Sequence, residues 1–180
     1  MNAQLQTMLD HHDITRLLAE YAHACDRCDT TAMAAVYWDD SWDDHGITQA
    51  AGPEFARIMT GRIAKETQTL SHLLGQSLIQ VHGDEAGAET YFIAVMMNTA
   101  PDGTPKCNQL GGRYVDQLER RDGQWKIKHR TAVRDWSISL KIEEDSYAKA
   151  QLKSGQRSNA DPSCAALKRA HGSEVANCNE

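Results

Sequence analysis

No run of apolar residues in this chain approaches the ~20 that a membrane-crossing helix needs, so no membrane role is expected. There is no basic excess either. Nineteen Lys and Arg face twenty-five Asp and Glu, a formal net charge of −6, which argues against a general nucleic-acid binder. The first residues, MNAQLQTMLDHHD, lack the basic-then-apolar layout of a signal peptide. The five cysteines are an odd count without framework spacing, so reduced thiols and a cytoplasmic setting are expected. What is present is ordinary for one globular domain: 180 residues, 41% hydrophobic and 24% charged.

Ile14, Leu17, Leu18, Tyr21, Ala22 and Cys25 recur at helical spacing and predict a first helix, capped by Asp10 or Asp13. A short second helix is expected after Asp29, with Ala32, Met33, Val36 and Tyr37 inward. WDDSWDDHGITQAAG breaks the period and reads as a loop with a short strand near Trp42 to Ile47. Pro53 opens a third helix with Phe55, Ile58, Met59 and Ile63 on one stripe. Strands are then expected over 70–81, 88–99, 110–119 and 124–138, joined by HGDEAG and RRDG turns. Helices followed by hairpin-linked strands define an α+β domain, with the helices on one face of a curved, mostly antiparallel sheet. The domain is placed at residues 1–142. Residues 143–180 form a polar tail, either partly disordered or lying on a partner subunit, with a small helix over 163–171.

The C-x-x-C of Cys25 and Cys28 has metal or redox spacing. A zinc site needs about four ligands, however, and no second pair accompanies it. Cys25 falls on the apolar stripe and reads as packing, and Cys28 reads as an exposed bystander. No metal and no cofactor are expected. Asp26 lies at the edge of the same stripe, either solvated at the helix end or pointing into a cleft. His72, among leucines in LSHLLGQ, is either a hydrogen-bonded core residue or a proton-transfer base. An Asp–His contact fixes the imidazole tautomer and stabilises the imidazolium. Such a contact between Asp26 and His72 is the sharpest functional expectation. Arg134 and Arg113 are candidates for binding negative charge. Unbroken strand alternation places Arg130, Ala132, Arg134 and Trp136 on one face. In WDDHG, Asp43, Asp44 and His45 cannot all converge on a metal from one strand, so one of them is expected in a pocket.

ITRLLAEYAHACDRCD, WDDHG, LSHLLGQSLIQVHGDEAGAETYF and GGRYVDQLERRDGQWKIKHRTAVRDWS, in that order, resemble the SnoaL-like branch of the nuclear transport factor 2-like superfamily. The resemblance covers about residues 10–140. It implies a cone-shaped α+β barrel around a deep apolar pocket. It also implies a lyase without cofactor or metal, of the kind found among dehydratases, dehydrochlorinases and diarylpropane lyases. Carried over, the dyad acid is Asp26, the dyad base His72, the helix tyrosine Tyr21 and the strand arginine Arg134. A second pocket tyrosine is replaced by His45. The catalytic set is therefore Asp26, His72, Tyr21, His45 and Arg134. The substrate-binding set is Arg113, Leu17, Phe55, Met59, Phe92, Met96 and Trp136. The expected partner is an aromatic or polycyclic small molecule, and a homo-oligomer, dimer or trimer, is expected. Isomerases and non-catalytic binding modules share the fold and remain alternatives.

Overall fold

The computed structural model describes residues 2–142 and 152–171. Helix α1 (Ala3–Arg27) begins earlier than the expected caps, because Asn2 accepts the Gln4 N–H instead. Asp10 lies inside the helix and is buried, where Arg120, Trp125 and Gln6 donate to one of its oxygens. The helix ends at Cys28, whose φ of 53° places it in the left-handed region favoured at this position. Asp29 then caps α2 (Thr30–Ala35) by accepting the Ala32 N–H at 2.9 Å.

Val36 and Tyr37 are buried as expected, but the helix stops before them. Tyr37 opens β1 (Tyr37–Asp44), which a tight turn joins to β2 (Gln49–Ala51). Helix α3 (Gly52–Glu66) follows, with proline in its first turn. Four long strands complete the fold: β3 (Thr69–His82), β4 (Glu85–Thr99), β5 (Pro105–Arg121) and β6 (Gln124–Lys141). Together the six strands form one sheet ordered β2-β1-β6-β5-β4-β3. Every pairing is antiparallel except that of β1 with β6. The expected α+β cone, with its helices against a mostly antiparallel sheet, is the fold observed.

The core lies between the helices and the inner face of the sheet. Ile14, Leu18, Met33, Phe55, Leu118 and Ile127 fill it. Two irregularities shape β6. Gly111 pairs with Trp136 but Gly112 with Arg134, so Asp135 is an extra residue, a bulge. A second register shift leaves Lys128 without an opposite number between Leu118 and Gln117.

Residues 152–171 lie against their own chain. Arg157 donates to the Thr67 carbonyl and hydroxyl at 2.8 and 2.7 Å, and the His171 ring meets the Arg27 carbonyl at 2.8 Å. Within this segment α4 (Pro162–Leu167) is capped by Asp161. The tail's remaining positions, 143–151 and 172–180, lie outside the described residues. No helix among the described residues is long and apolar enough to cross a membrane.

Candidate active site

Strand β3 is a sheet edge, so some of its N–H groups have no neighbouring strand to receive them. Asp26, in the last turn of α1, covers one of them. Its Oδ2 accepts the His72 backbone N–H at 2.9 Å, and its Oδ1 lies 2.6 Å from His72 Nδ1. The His72 side chain is 6% exposed and that of Asp26 14%. An ionised carboxylate only accepts, so Nδ1 carries the ring proton and Nε2 is left as the basic nitrogen.

His72 faces a cavity of about 250 Å³. Its wall is mostly apolar, with Met59, Ile63, Leu70, Phe92, Met96 and Leu110 among the lining residues. The polar groups reaching it are Tyr21, His45, His72, Tyr114 and Arg134. Such a lining, with a few convergent polar groups, is typical of a small-molecule site.

Tyr21 and Tyr114 meet edge to face with ring centroids 5.4 Å apart, and Tyr114 stacks on Phe92 at 4.2 Å. Beneath both phenols lies Arg130, fully buried, its guanidinium 4.1 Å from the Tyr21 ring and 4.2 Å from the Tyr114 ring. Asp116, also buried, holds Arg130 with two bonds of 2.7 Å. Burial pushes both phenols above the usual tyrosine range. The Arg130 charge opposes that shift without cancelling it. Both hydroxyls therefore stay protonated near neutral pH, and a hydrogen bond links Tyr21 to Tyr114.

WDDHG divides its labour. Asp43 is fully buried and accepts the Tyr37 hydroxyl on Oδ2 at 2.6 Å. Its Oδ1 meets His45 Nδ1 in a short bond. Asp44 turns the chain by accepting the Gly46 N–H at 2.8 Å, and Gly46 has a φ of +74°. No group of three or more metal-ligating side chains occurs among the described residues.

Not every expected site residue reaches the cavity. Arg113 points to the outer face, where Glu89 holds it at 3.0 Å and Asp135 at 3.3 Å. Its neighbour Tyr114 takes the inner face, so the arginine's assignment is corrected by strand alternation. Trp136 is 41% exposed and lies outside the lining, because the Asp135 bulge breaks the alternation that linked it to Arg134. Leu17 and Phe55 are core residues behind the wall, although Phe55 stacks on His45 at 4.6 Å. Cys28 is 1% exposed, not a surface bystander, while Cys25 is both buried and cavity-lining. Burial raises both thiols above their ordinary range, which leaves them poorly nucleophilic. Tyr114 and the Arg130–Asp116 pair were missed. The signal for them was the alternation of Tyr114, Asp116 and Leu118.

Helices closing one face of a curved sheet over an apolar cavity, with a carboxylate–imidazole pair in its wall, are arranged as in the nuclear transport factor 2-like fold. The SnoaL-like domain matches residues 6–131, and the chain belongs to that family. Among solved structures it is similar to a type 2 hexachlorocyclohexane dehydrochlorinase. The identity is 17% and the TM-score 0.70, over 83% of this chain and all of that one. A type 3 dehydrochlorinase from Novosphingobium barchaimii is 19% identical with a TM-score of 0.68, covering 77% of this chain and 94% of that one. A protein provisionally described as a scytalone dehydratase from Novosphingobium aromaticivorans is 21% identical with a TM-score of 0.66, covering 76% and 91%. Identities this low establish a shared fold and nothing finer. No curated protein matches the chain.

Proposed function

We propose that this chain is a cofactor-independent lyase that carries out acid–base elimination on a hydroxylated, largely apolar aromatic or polycyclic small molecule. The observation that carries the reading is the double attachment of Asp26 to His72 at the wall of an apolar cavity. His72 Nε2 removes the substrate proton, from carbon in a simple dehydration or from the hydroxymethyl oxygen where formaldehyde leaves, and Asp26 balances the imidazolium that forms. Tyr21 and Tyr114 donate to oxygen on the substrate, and Arg134, at the exposed end of the lining, binds a phenolate or another anionic group. In so dry a pocket each of these contacts counts for more than in water.

The substrate class we favour is a lignin-type diarylpropane. It loses a benzylic hydroxyl as water to give a quinone methide, which then releases formaldehyde and leaves a stilbene. An aromatic pocket with a cation at its mouth suits a phenolic substrate. The test is a mass-spectrometric screen of purified protein against phenolic dimers and hydroxysteroids. Loss of water and formaldehyde together from a diarylpropane is the expected result. Loss of water alone from a hydroxysteroid or polyketide-like compound assigns a dehydratase. A product of unchanged mass assigns an isomerase, and binding without conversion assigns a binding module and overturns the lyase reading.

A further inference from the structure

The cavity wall holds a second carboxylate–imidazole pair. His45 lines the cavity as His72 does, and its Nδ1 is bonded to Asp43 just as the Nδ1 of His72 is bonded to Asp26. The two pairs reach the cavity from different elements. Asp26 and His72 come from α1 and β3, whereas Asp43 and His45 come from β1 and the turn that follows it. The Tyr114 ring lies between them, 5.9 Å from the His45 ring and 6.4 Å from that of His72.

The carboxylate of the second pair is the more deeply buried of the two. The Asp43 side chain has no solvent exposure, while that of His45 is 20% exposed. Tyr37 holds the other carboxylate oxygen from behind. Burial, then the Asp43 charge, push the Tyr37 phenol up, so it stays a donor and Asp43 stays an acceptor. The tight turn fixes the histidine from the backbone side. His45 N–H donates to the Thr48 carbonyl at 2.9 Å, and Phe55 stacks on the ring. An imidazole packed on an aromatic ring needs none of this apparatus. A buried carboxylate spent on Nδ1 sets the tautomer and directs Nε2 away from Asp43.

We infer that Asp43–His45 is a second proton-transfer dyad, with His45 the general acid that protonates a departing oxygen while His72 acts as base. The inference rests on the lyase reading above. The step balances as follows. In a simple dehydration, as with the probes below, His72 Nε2 takes a proton from the carbon next to the one bearing the leaving group. The C–H electron pair becomes the new C=C bond, and the C–O bond breaks toward oxygen. The His45 imidazolium gives that oxygen its proton, and water departs. His72 then carries the extra proton and His45 lacks one, and exchange with solvent restores both. Halide or carboxylate leaves as a stable anion and needs no such donor, whereas hydroxide does. The second dyad therefore points to substrates whose leaving group is a hydroxyl. Asp43 and Tyr37 act through His45 and are positioning residues.

Two probes of one skeleton separate the roles. 4-Hydroxy-4-phenylbutan-2-one loses water, and its acetate ester loses acetate, to the same enone. His45→Gln lowers the ratio of hydroxyl to acetate elimination by roughly 10²-fold, within the range for one acid–base group. His72→Ala lowers both rates together. An unchanged ratio in His45→Gln overturns the assignment.

A second measurement needs no turnover. Nitrogen NMR of labelled histidine in the full chain should place the neutral His45 proton on Nδ1. Tyr114 from β5 and Phe55 from α3 lie against the ring. A proton on Nε2 overturns the dyad. A wild-type protein inert toward both probes counts against the lyase reading, and the ring tautomer read by nitrogen NMR then decides the dyad alone.

Discussion

Asp26 grips His72 at two points, the ring through one carboxylate oxygen and the backbone through the other. The two bonds do different things. The backbone bond, at 2.9 Å, ties the end of α1 to the open edge of β3. The ring bond, at 2.6 Å, sets which imidazole nitrogen is free to meet a substrate. A residue 46 positions away in sequence thus orients the proposed base and also closes the sheet edge on which it sits.

Arg130 and Asp116 are a fully buried ion pair under the two cavity phenols. Removing one partner strands the other charge without solvent. Asp116→Asn should therefore lower unfolding free energy by about 3–5 kcal/mol. The double variant Arg130→Met/Asp116→Leu should recover most of that loss, because no lone charge remains. Urea titration of the three proteins checks both statements. A single variant as stable as wild type would contradict this account of the pair.

The bulge makes two adjacent glycines unequal. A Cβ on Gly112 would sit 2.1 Å from the Val133 carbonyl oxygen, which is backbone and cannot step aside. A Cβ on Gly111 would meet the Trp136 ring at the same distance, but that ring is 41% exposed and free to swing. Gly112→Ala should cost roughly 1–3 kcal/mol or more, in the range of overpacked sites, and Gly111→Ala distinctly less. Chemical denaturation of the two variants ranks them, and the reverse order would contradict the register given for β5 and β6.

The docked segment 152–171 should be sensitive to acid. Asp161 accepts the Gln156 and Ser163 N–H groups and lies near Arg27, and these contacts hold its carboxyl below the usual range. A depressed carboxyl contributes stability above its unfolded pKa of about 3.9 and loses it as pH falls through the folded value. Docking should thus persist at neutral pH and weaken below about pH 4. Asp161→Ala should release the segment even at neutral pH. Limited proteolysis near Arg157, followed against pH in both proteins, reads this directly. Equal cleavage of the variant and wild type at neutral pH would contradict it.

Much of this architecture was legible in the sequence, for definite physical reasons. The helical stripe through Leu18, Tyr21 and Cys25 and the hairpin turns at HGDEAG and RRDG are local signals, and local signals set element type. Asp26 and His72 were legible as an expected contact between an acid at the edge of the helical stripe and a strand histidine, and the resemblance then supplied their dyad roles. Which face of β5 is concave was not legible. Arg113 and Tyr114 are neighbours, and choosing the arginine chose the outer face. Trp136 was misplaced by one extra residue, Asp135, because a bulge inverts every later side chain and leaves no mark in hydrophobic spacing. Cys28 was misjudged because its left-handed backbone, at the end of α1, leaves its side chain in the core.

The central claim is that Asp26 and His72 act together as the proton-transfer pair, and turnover of Asp26→Asn and His72→Ala tests it most directly. Steady-state rates should be measured on the compound the wild type converts in the screen, with circular dichroism to verify the fold. The asparagine retains an acceptor for the His72 backbone N–H but carries no charge to balance an imidazolium. The account predicts that each variant stays folded and loses about two orders of magnitude or more in kcat. Wild-type-like turnover in either folded variant would contradict it.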